Sequence, residues 1–256
     1  MAKRVKARLY VEADLNEGGT VGASPGQAHY LKSVLRLGRG DPVALFNGRD
    51  GEWIADIDGI GKGWASLALV GRQRRQTAEP DLWLVFAPIK RARIDFLAQK
   101  ATEFGVSALW PVFTGLTQVS RVNEDRLLAN AVEAAEQSGR LSVPRVLPAA
   151  TLDAALARWP HERRLLWCAE QGPATPIAEA LAGASAAAPW AVLTGPEGGF
   201  TAAELDALGK LPFVTAVGLG PRLLRADTAA LAALACWQAL AGDGCDRPPP
   251  GHADDP

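Results

Sequence analysis

Two glycine-rich segments in the last third of the chain have the residue types and spacing of a small-molecule site. The first glycine loop is Leu193–Phe200, with the sequence LTGPEGGF, and the second glycine loop is Gly218–Thr228, with the sequence GLGPRLLRADT. Each follows an apolar, strand-like run and leads into a helix-like run. Glycine lets backbone N–H and C=O groups approach a ligand without a side chain in the way.

Neither loop is a known phosphate loop, since the patterns G-x-G-x-x-G and G-x-x-x-x-G-K-[ST] are missing from both sequences. Two tight turns would explain either loop alone. Both loops, however, follow what we expect to be neighbouring strands of one sheet. Ligands bind outside the carboxyl ends of such strands in open α/β folds, so a shared binding site is the favoured interpretation.

The composition excludes several classes of protein. With 48% hydrophobic and 21% charged residues, the chain is typical of a globular protein. The charged start lacks a signal-peptide pattern and no apolar run is long enough to cross a bilayer, so we expect a cytoplasmic protein without a membrane partner. The 3 cysteines and 3 histidines are scattered without metal-type spacing, which predicts reduced thiols and no metal site.

Positive charge is concentrated at the front of the chain. Residues 1–75 carry 12 Lys/Arg against 8 Asp/Glu, whereas residues 76–256 carry 15 against 20. A basic front on an acidic body is typical of a nucleic-acid-docking module joined to a catalytic one, although ordinary surface charge explains it as well. The candidate RNA contacts are Lys6, Arg8, Lys32 and Arg36.

The front section predicts a small β-barrel with one helix over residues 1–74. Val5–Val11 alternates as a half-buried strand, and further strands are expected at Val43–Phe46, Trp53–Ile57 and Trp64–Val70. The helix is expected over Gly26–Arg36 and to end at Gly38 and Gly40, with one apolar stripe formed by Tyr30, Leu31, Val34 and Leu35. Trp53 and Trp64 are interpreted as barrel core and not as base-stacking platforms.

From residue 75 to residue 242 the pattern changes to alternating strands and helices. Asn123, Thr151 and Thr201 are expected to cap helices, and Thr201 begins a capping box with Glu204. Alternation of this kind predicts an α/β domain with a mostly parallel sheet. Residues 243–256 are expected to form a disordered tail.

These residues make the chain resemble the ribosomal small-subunit RNA methyltransferase E family over nearly its whole length. The resemblance is carried by the two glycine loops, and it is supported by the segments Gln99–Val106, Glu133–Arg140 and His29–Arg36. Three features depart from the family pattern: Phe104 stands where Leu is usual, Asp227 where Glu is common, and Gly115-Leu116 where an Arg is expected.

The resemblance implies a SPOUT-type methyltransferase domain with a C-terminal trefoil knot, preceded by a PUA-like RNA-docking domain. It implies methyl transfer from S-adenosylmethionine to N3 of a uridine in small-subunit ribosomal RNA, within the assembled or assembling subunit, by a homodimer. General fold rules alone would not predict a knot. The implied cofactor-binding residues come from both loops: Leu193, Thr194, Gly195, Pro196, Glu197, Gly198, Gly218, Leu219, Gly220, Leu223, Leu224, Arg225, Ala226 and Thr228.

Arg225 is the candidate catalytic residue. Its guanidinium could orient the uracil or stabilise the negative charge that develops as N3 loses its proton. The alternative is a structural ion pair with Asp227 or Glu197. Asp227 is a poor match as a general base for the weakly acidic N3, and a place at a helix start explains it structurally.

Two other functions are weighed against this one. The first is a SPOUT methyltransferase acting on a ribose 2′-hydroxyl or a tRNA base, and the segment Leu223–Thr228 argues against it. The second is a non-catalytic rRNA-binding assembly factor, and the intact glycine loops argue against it.

Overall fold

A computed structural model describes residues 4–244 and residue 246. The chain divides into two compact units, one of residues up to Ala78 with Val132–Val143, the other of Glu79–Ala131 with the chain from Pro144 onward. The segment 132–143, which the sequence analysis placed in the second domain, therefore clusters with the first unit. Most of the predicted tail, residue 245 and residues 247–256, lies outside the described residues.

The first unit is built on a five-stranded sheet with the strand order β1-β3-β4-β5-β2. Strands β1 and β3 pair in parallel, and the other pairs are antiparallel. The sequence did not predict β2. The strands are β1 (Arg8–Tyr10), β2 (Thr20–Ala23), β3 (Pro42–Phe46), β4 (Glu52–Gly61) and β5 (Trp64–Arg74), with helix α1 (Pro25–His29) between β2 and β3.

The predicted helix stripe of the first unit is wrong in part. After α1 the backbone forms a π-helical turn over Tyr30–Val34, in which the N–H of Leu35 donates to the carbonyl of Tyr30. This wider turn breaks the spacing that the stripe assumed, so Leu31 is buried while Val34 is 60% exposed. The segment ends at Arg36, whose φ of 56° is left-handed, and not at the two glycines.

The second unit is a sheet in which every strand pair is parallel, as predicted. The strand order is β11-β13-β10-β12-β6-β7-β8, with β9 paired to β7. In chain order the elements are β6 (Leu82–Phe86), α2 (Arg91–Glu103), β7 (Ala108–Phe113), α3 (Glu124–Ser138), β8 (Arg145–Val146), β9 (Ala150–Thr151), α4 (Leu152–Ala157), β10 (Arg164–Cys168), β11 (Thr175–Pro176), α5 (Ile177–Ala180), β12 (Trp190–Thr194), α6 (Ala202–Gly209), β13 (Val214–Gly218) and α7 (Ala226–Leu240).

The predicted helix caps are confirmed. Oδ1 of Asn123 accepts the N–H of Arg126 at 2.9 Å, and Thr151 caps α4 through the N–H of Ala154 at 3.3 Å. The capping box at α6 is complete, because Thr201 and Glu204 each accept the other's backbone N–H. Helix α6 therefore starts immediately after the first glycine loop.

Burial follows the sheet. The central strands β6 and β12 are buried along their whole length, and α7 packs through Ala230, Ala233, Leu234 and Trp237. In the described part of the chain every helix is too short or too polar to span a bilayer.

Candidate active site

The carboxyl ends of three parallel strands meet at one edge of the second sheet. Strand β10 lies between β13 and β12, so the strands before the two glycine loops are not neighbours, contrary to the prediction. In the register of the sheet, Trp167 is opposite Leu193 and Cys168 is opposite Val217. Both glycine loops therefore leave the sheet at the same edge, separated by the loop that follows β10.

A cleft at this edge brings the two glycine loops together. Of the predicted cofactor-binding residues, Thr194, Gly195, Leu219, Gly220, Leu223, Leu224 and Ala226 line it. Five lining residues were not predicted individually: Cys168 at the end of β10, Ala169 and Glu170 from the loop after β10, Arg222 from the second glycine loop, and Ala229 from α7.

The remaining predicted cofactor residues are not part of the lining: Leu193, Pro196, Glu197, Gly198, Gly218, Arg225 and Thr228. Leu193 is fully buried in the core of the second unit.

The first glycine loop folds back on itself. A Cβ at Gly195 would lie 2.6 Å from Cε2 of Phe200, closer than real Cβ contacts come. The N–H of Gly199 donates to the carbonyl of Pro196 at 2.9 Å, and the φ of Gly199 is 72°. Glycine at 195 therefore makes room for the Phe200 ring, and glycine at 199 allows the left-handed turn.

The second glycine loop presents an apolar side chain to solvent. Gly220 has a φ of 101°, a conformation that side chains rarely adopt. Leu223 is 76% exposed beside the cleft, and Leu224 is half-buried. Arg225, within this loop, is the residue before the first turn of α7.

Arg225 is exposed, and its side chain has no hydrogen bond or ion pair with a described residue. The two acids proposed as alternative partners lie within ion-pair distance of another residue, Arg93. Oδ1 of Asp227 also accepts the N–H of Thr228 at 2.9 Å, in the first turn of α7. The ion-pair alternative for Arg225 is therefore not supported, and Asp227 has the structural setting expected of it.

The thiol at the end of β10 is not a reactive group. Cys168 is buried, and burial raises the pKa of its thiol to about 12, with a smaller contribution from Cys236. A thiol with this pKa stays protonated at neutral pH and is neither a nucleophile nor a proton acceptor. Within the described residues, no group of three or more His, Cys, Asp or Glu side chains is arranged to hold a metal ion.

In the first unit, the structure contradicts Arg8 as an RNA contact. Its side chain is only 14% exposed and pairs through Nε with Glu52, which is buried. Nη1 donates to the carbonyl of Ala135 at 2.7 Å, Nη2 donates to the carbonyl of Arg140, and the guanidinium lies 4.0 Å from the centre of the Phe46 ring. Burial lowers the pKa of Arg8, although Glu52 opposes this. All of its donors serve the fold.

The other three predicted RNA contacts are exposed. Lys6 lies 3.7 Å from the Asp41 carboxylate, whereas Lys32 and Arg36 have no ion pair with a described residue. Two arginines that the sequence analysis did not select, Arg72 and Arg75, line a groove of the first unit and are likewise without an ion pair to a described residue.

The interpretation of the two tryptophans as core is half right. Trp53 is buried and donates its indole N–H to the carbonyl of Asp50 at 3.0 Å. Trp64 is 54% exposed. Its indole lies over Gly61, where a Cβ would come within 2.1 Å of Nε1.

Comparison with known proteins relates both units to RNA methylation. The model of an RNA methyltransferase domain matches residues 77–238, and the model of an RNA methyltransferase PUA domain matches residues 24–67. Over 241 residues the chain is 33% identical to the ribosomal RNA small subunit methyltransferase E of Rickettsia conorii, covering 94% of this chain and 98% of the relative. The chain belongs to the ribosomal RNA small subunit methyltransferase E family.

Two solved structures are similar over nearly the whole chain. The first is a ribosomal RNA small subunit methyltransferase E from Neisseria gonorrhoeae bound to S-adenosyl methionine, with a TM-score of 0.82, 30% identity, and coverage of 93% of this chain and 98% of that one. The second is a putative methyltransferase from Legionella pneumophila in complex with the same cofactor, with a TM-score of 0.81, 26% identity, and coverage of 94% and 99%.

One departure from the methyltransferase E pattern has a local explanation. Gly115 donates its N–H to Oε1 of Glu204 at 2.7 Å, and a Cβ there would lie 2.8 Å from Cγ2 of Thr201. A Cβ at Gly198 would be 3.3 Å from the Cβ of Leu116. The pair Gly115-Leu116 therefore packs against the first glycine loop and the start of α6, where a larger side chain at position 115 would collide.

Two features of the candidate site were not predicted from the sequence. The loop after β10 could have been found, because its Glu170-Gln171-Gly172-Pro173 sequence also follows an apolar strand. Arg93 carries a weaker signal, which is a basic residue in the first turn of a helix, where acidic residues are favoured.

Proposed function

We propose that this chain transfers the methyl group of S-adenosylmethionine to N3 of a uridine in small-subunit ribosomal RNA. The observation that supports this most directly is the position of Arg225. Its neighbours Leu224 and Ala226 line the cleft between the two glycine loops, and its side chain has no described partner. As a member of its family, the chain is an rRNA methyltransferase that uses S-adenosylmethionine.

The cleft suits the cofactor chemically. Its walls combine glycine-containing backbone and apolar side chains, which fit an adenosine ring, with two charged residues, Glu170 and Arg222, which would complement the cationic and anionic groups of the ligand. We assign cofactor contacts to both glycine loops, from Leu193 to Gly198 and from Gly218 to Thr228, and include Ala169, Glu170 and Ala229.

Bound in the cleft, S-adenosylmethionine would supply an activated methyl group for direct displacement by N3 of the uracil. As N3 gives up its proton to water, negative charge spreads over N3 and both carbonyl oxygens of the uracil. The Arg225 guanidinium would stabilise that planar anion through parallel hydrogen bonds, and the loops would hold the two reactants in line.

The first unit would dock the RNA. Its family match, its exposed Lys32 and Arg36, and the groove with Arg72 and Arg75 support phosphate contacts there. Contacts of this kind position a protein on RNA with little sequence information, so the target uridine would be selected within the assembled or assembling small subunit.

We further propose a homodimer and a SPOUT-type trefoil knot in the second unit. The exposure of Leu223 beside the cleft and of Leu240 at the end of α7 supports a partner subunit that covers them. The connection from β12 to β13 passes strand β10, and this crossover supports a knotted chain path. Sedimentation that finds a monomer at micromolar concentration would remove the dimer proposal.

A methylation assay with labelled cofactor tests the function, using isolated small subunits and naked rRNA from a strain that lacks this gene. We expect label in the small-subunit RNA and N3-methyluridine after nucleoside digestion and mass spectrometry. A 2′-O-methylated nucleoside, or label in tRNA alone, would contradict the proposed substrate. Cofactor binding without any transfer would favour the assembly-factor alternative.

A further inference from the structure

The first turn of α2 departs from a rule that the other long helices of the second unit follow. Lys90 caps this helix without a side-chain hydrogen bond, and no acidic residue occupies the first turn, which contains Arg93. Helices α3, α6 and α7 each have an acidic residue in that turn. Because a helix N-terminus is positive, cations there destabilise the helix unless another group compensates them.

Two carboxylates of the candidate active site compensate Arg93. Nη1 of Arg93 lies 3.7 Å from Oε1 of Glu197, which belongs to the first glycine loop. Nε of Arg93 lies 3.9 Å from Oδ2 of Asp227, which is in the first turn of α7. Arg93 therefore connects α2, the first glycine loop and α7.

We propose that Arg93 is a positioning residue for methyl transfer, a role that rests on the proposed function. Arg93 pairs with Glu197 and Asp227, which leaves Arg225 available to the uracil. The two ion pairs also hold the first glycine loop against α7. Asp227 stands only two residues after Arg225. A carboxylate left without Arg93 would attract the Arg225 guanidinium, and a guanidinium paired in this way would stabilise the uracil anion less well.

A double-variant comparison separates this role from a merely structural one. Arg93→Gln should lower kcat by roughly ten- to a hundredfold through misplacement of Arg225 and the loops, with a smaller change in the KM for RNA. Arg93→Lys should recover part of the loss because it keeps the charge. Arg93→Gln/Asp227→Asn should turn over faster than Arg93→Gln alone, since the competing carboxylate is gone. Lys210→Gln, which removes an exposed cation paired with Asp206 at 2.5 Å, is the control.

Two results would overturn the proposal: wild-type kcat in Arg93→Gln, or a double variant that is no faster than Arg93→Gln. If Arg93→Gln does not fold, Arg93→Lys and Arg93→Lys/Asp227→Asn provide the same comparison. Calorimetry with S-adenosylmethionine needs no RNA, and there Arg93→Gln should bind about tenfold more weakly than wild type because the loop loses its tie. Unchanged affinity would contradict the tie. A wild-type chain that binds cofactor but methylates no rRNA would refute the proposed function, and the calorimetric comparison would still decide the tie.

Discussion

Arg8 in the first unit and Arg225 in the second unit were both selected from the sequence, and the structure treats them in opposite ways. Arg8 is nearly enclosed, pairs with Glu52 and donates to backbone carbonyls. Arg225 is exposed, and its side chain has no hydrogen bond or ion pair with a described residue. The formal charge of a residue therefore does not show whether its side chain is available to a ligand. An arginine can bind a ligand only if the fold has not already used its donors.

The largest effect should come from the enclosed arginine. Arg8→Ala leaves the Glu52 carboxylate buried without its main partner, and this should lower the free energy of unfolding by about 3–5 kcal/mol. The affinity of the folded protein for rRNA should not change. Chemical denaturation and RNA binding, measured on the same preparation below its melting temperature, check both statements. A loss of RNA affinity with unchanged stability would show that Arg8 contacts RNA and does not stabilise the fold.

The exposed arginine should show the converse pattern. Arg225→Ala should reduce turnover by about a hundredfold, the scale found when one donor to a developing anion is removed. Arg225→Lys should recover only part, because an ammonium cannot make two parallel hydrogen bonds in one plane. Cofactor affinity by calorimetry should be nearly unchanged. Lost stability with intact turnover would make Arg225 resemble Arg8.

The second glycine loop should be sensitive to backbone conformation and not to charge. Gly220→Val forces a branched side chain into a φ of 101°, so the loop must move or carry strain of about 1–3 kcal/mol. Because Gly220 lines the cleft, we expect cofactor affinity to fall by about tenfold or more while the first unit still binds RNA. Gly209→Ala, at an open helical position, is a matched control. Normal cofactor binding by Gly220→Val would remove the loop from the site.

A smaller effect is expected at the exposed cations of the first unit. Replacing Lys32 and Arg36 by Ala should weaken rRNA binding and reduce the slope of log affinity against log salt by about one for each lost phosphate contact. Stability should change by less than about 0.5 kcal/mol, as at most surface positions. Fluorescence titrations at several salt concentrations measure the slope. An unaltered slope would show that these cations, like Arg8, do not contact RNA.

The smallest effect is expected at the buried thiol. With a pKa of about 12, the Cys168 thiol should resist alkylation by iodoacetamide at pH 8 in the folded protein. Mass spectrometry after digestion should find the peptide that contains Cys168 unmodified. Rapid modification of Cys168 would show that the strand end beside the cleft opens readily.

The sequence predicted what depends on local patterns. Parallel strands, helix caps at Asn123 and Thr201, and two loops at one sheet edge follow from periodicity and short-range hydrogen bonding. Three results could not be obtained in that way. The insertion of β10 between β13 and β12 is a long-range arrangement, and the partners of Arg8 come from residues far along the chain. The π-helical turn that exposes Val34 has more residues per turn than the α-helix whose period the predicted stripe assumed.

The position of β10 also affects when the site forms during folding. The cleft takes residues from the ends of β10, β12 and β13, and β13 reaches β10 only after the chain has passed β12. Parallel pairing over such separations forms slowly, because loop-closure entropy is lost before the contacts are gained. A partly folded chain without β13 therefore has no cofactor cleft. Cofactor binding would report completed folding, and saturating cofactor at about a hundred times its Kd would stabilise the finished fold by about 2.7 kcal/mol.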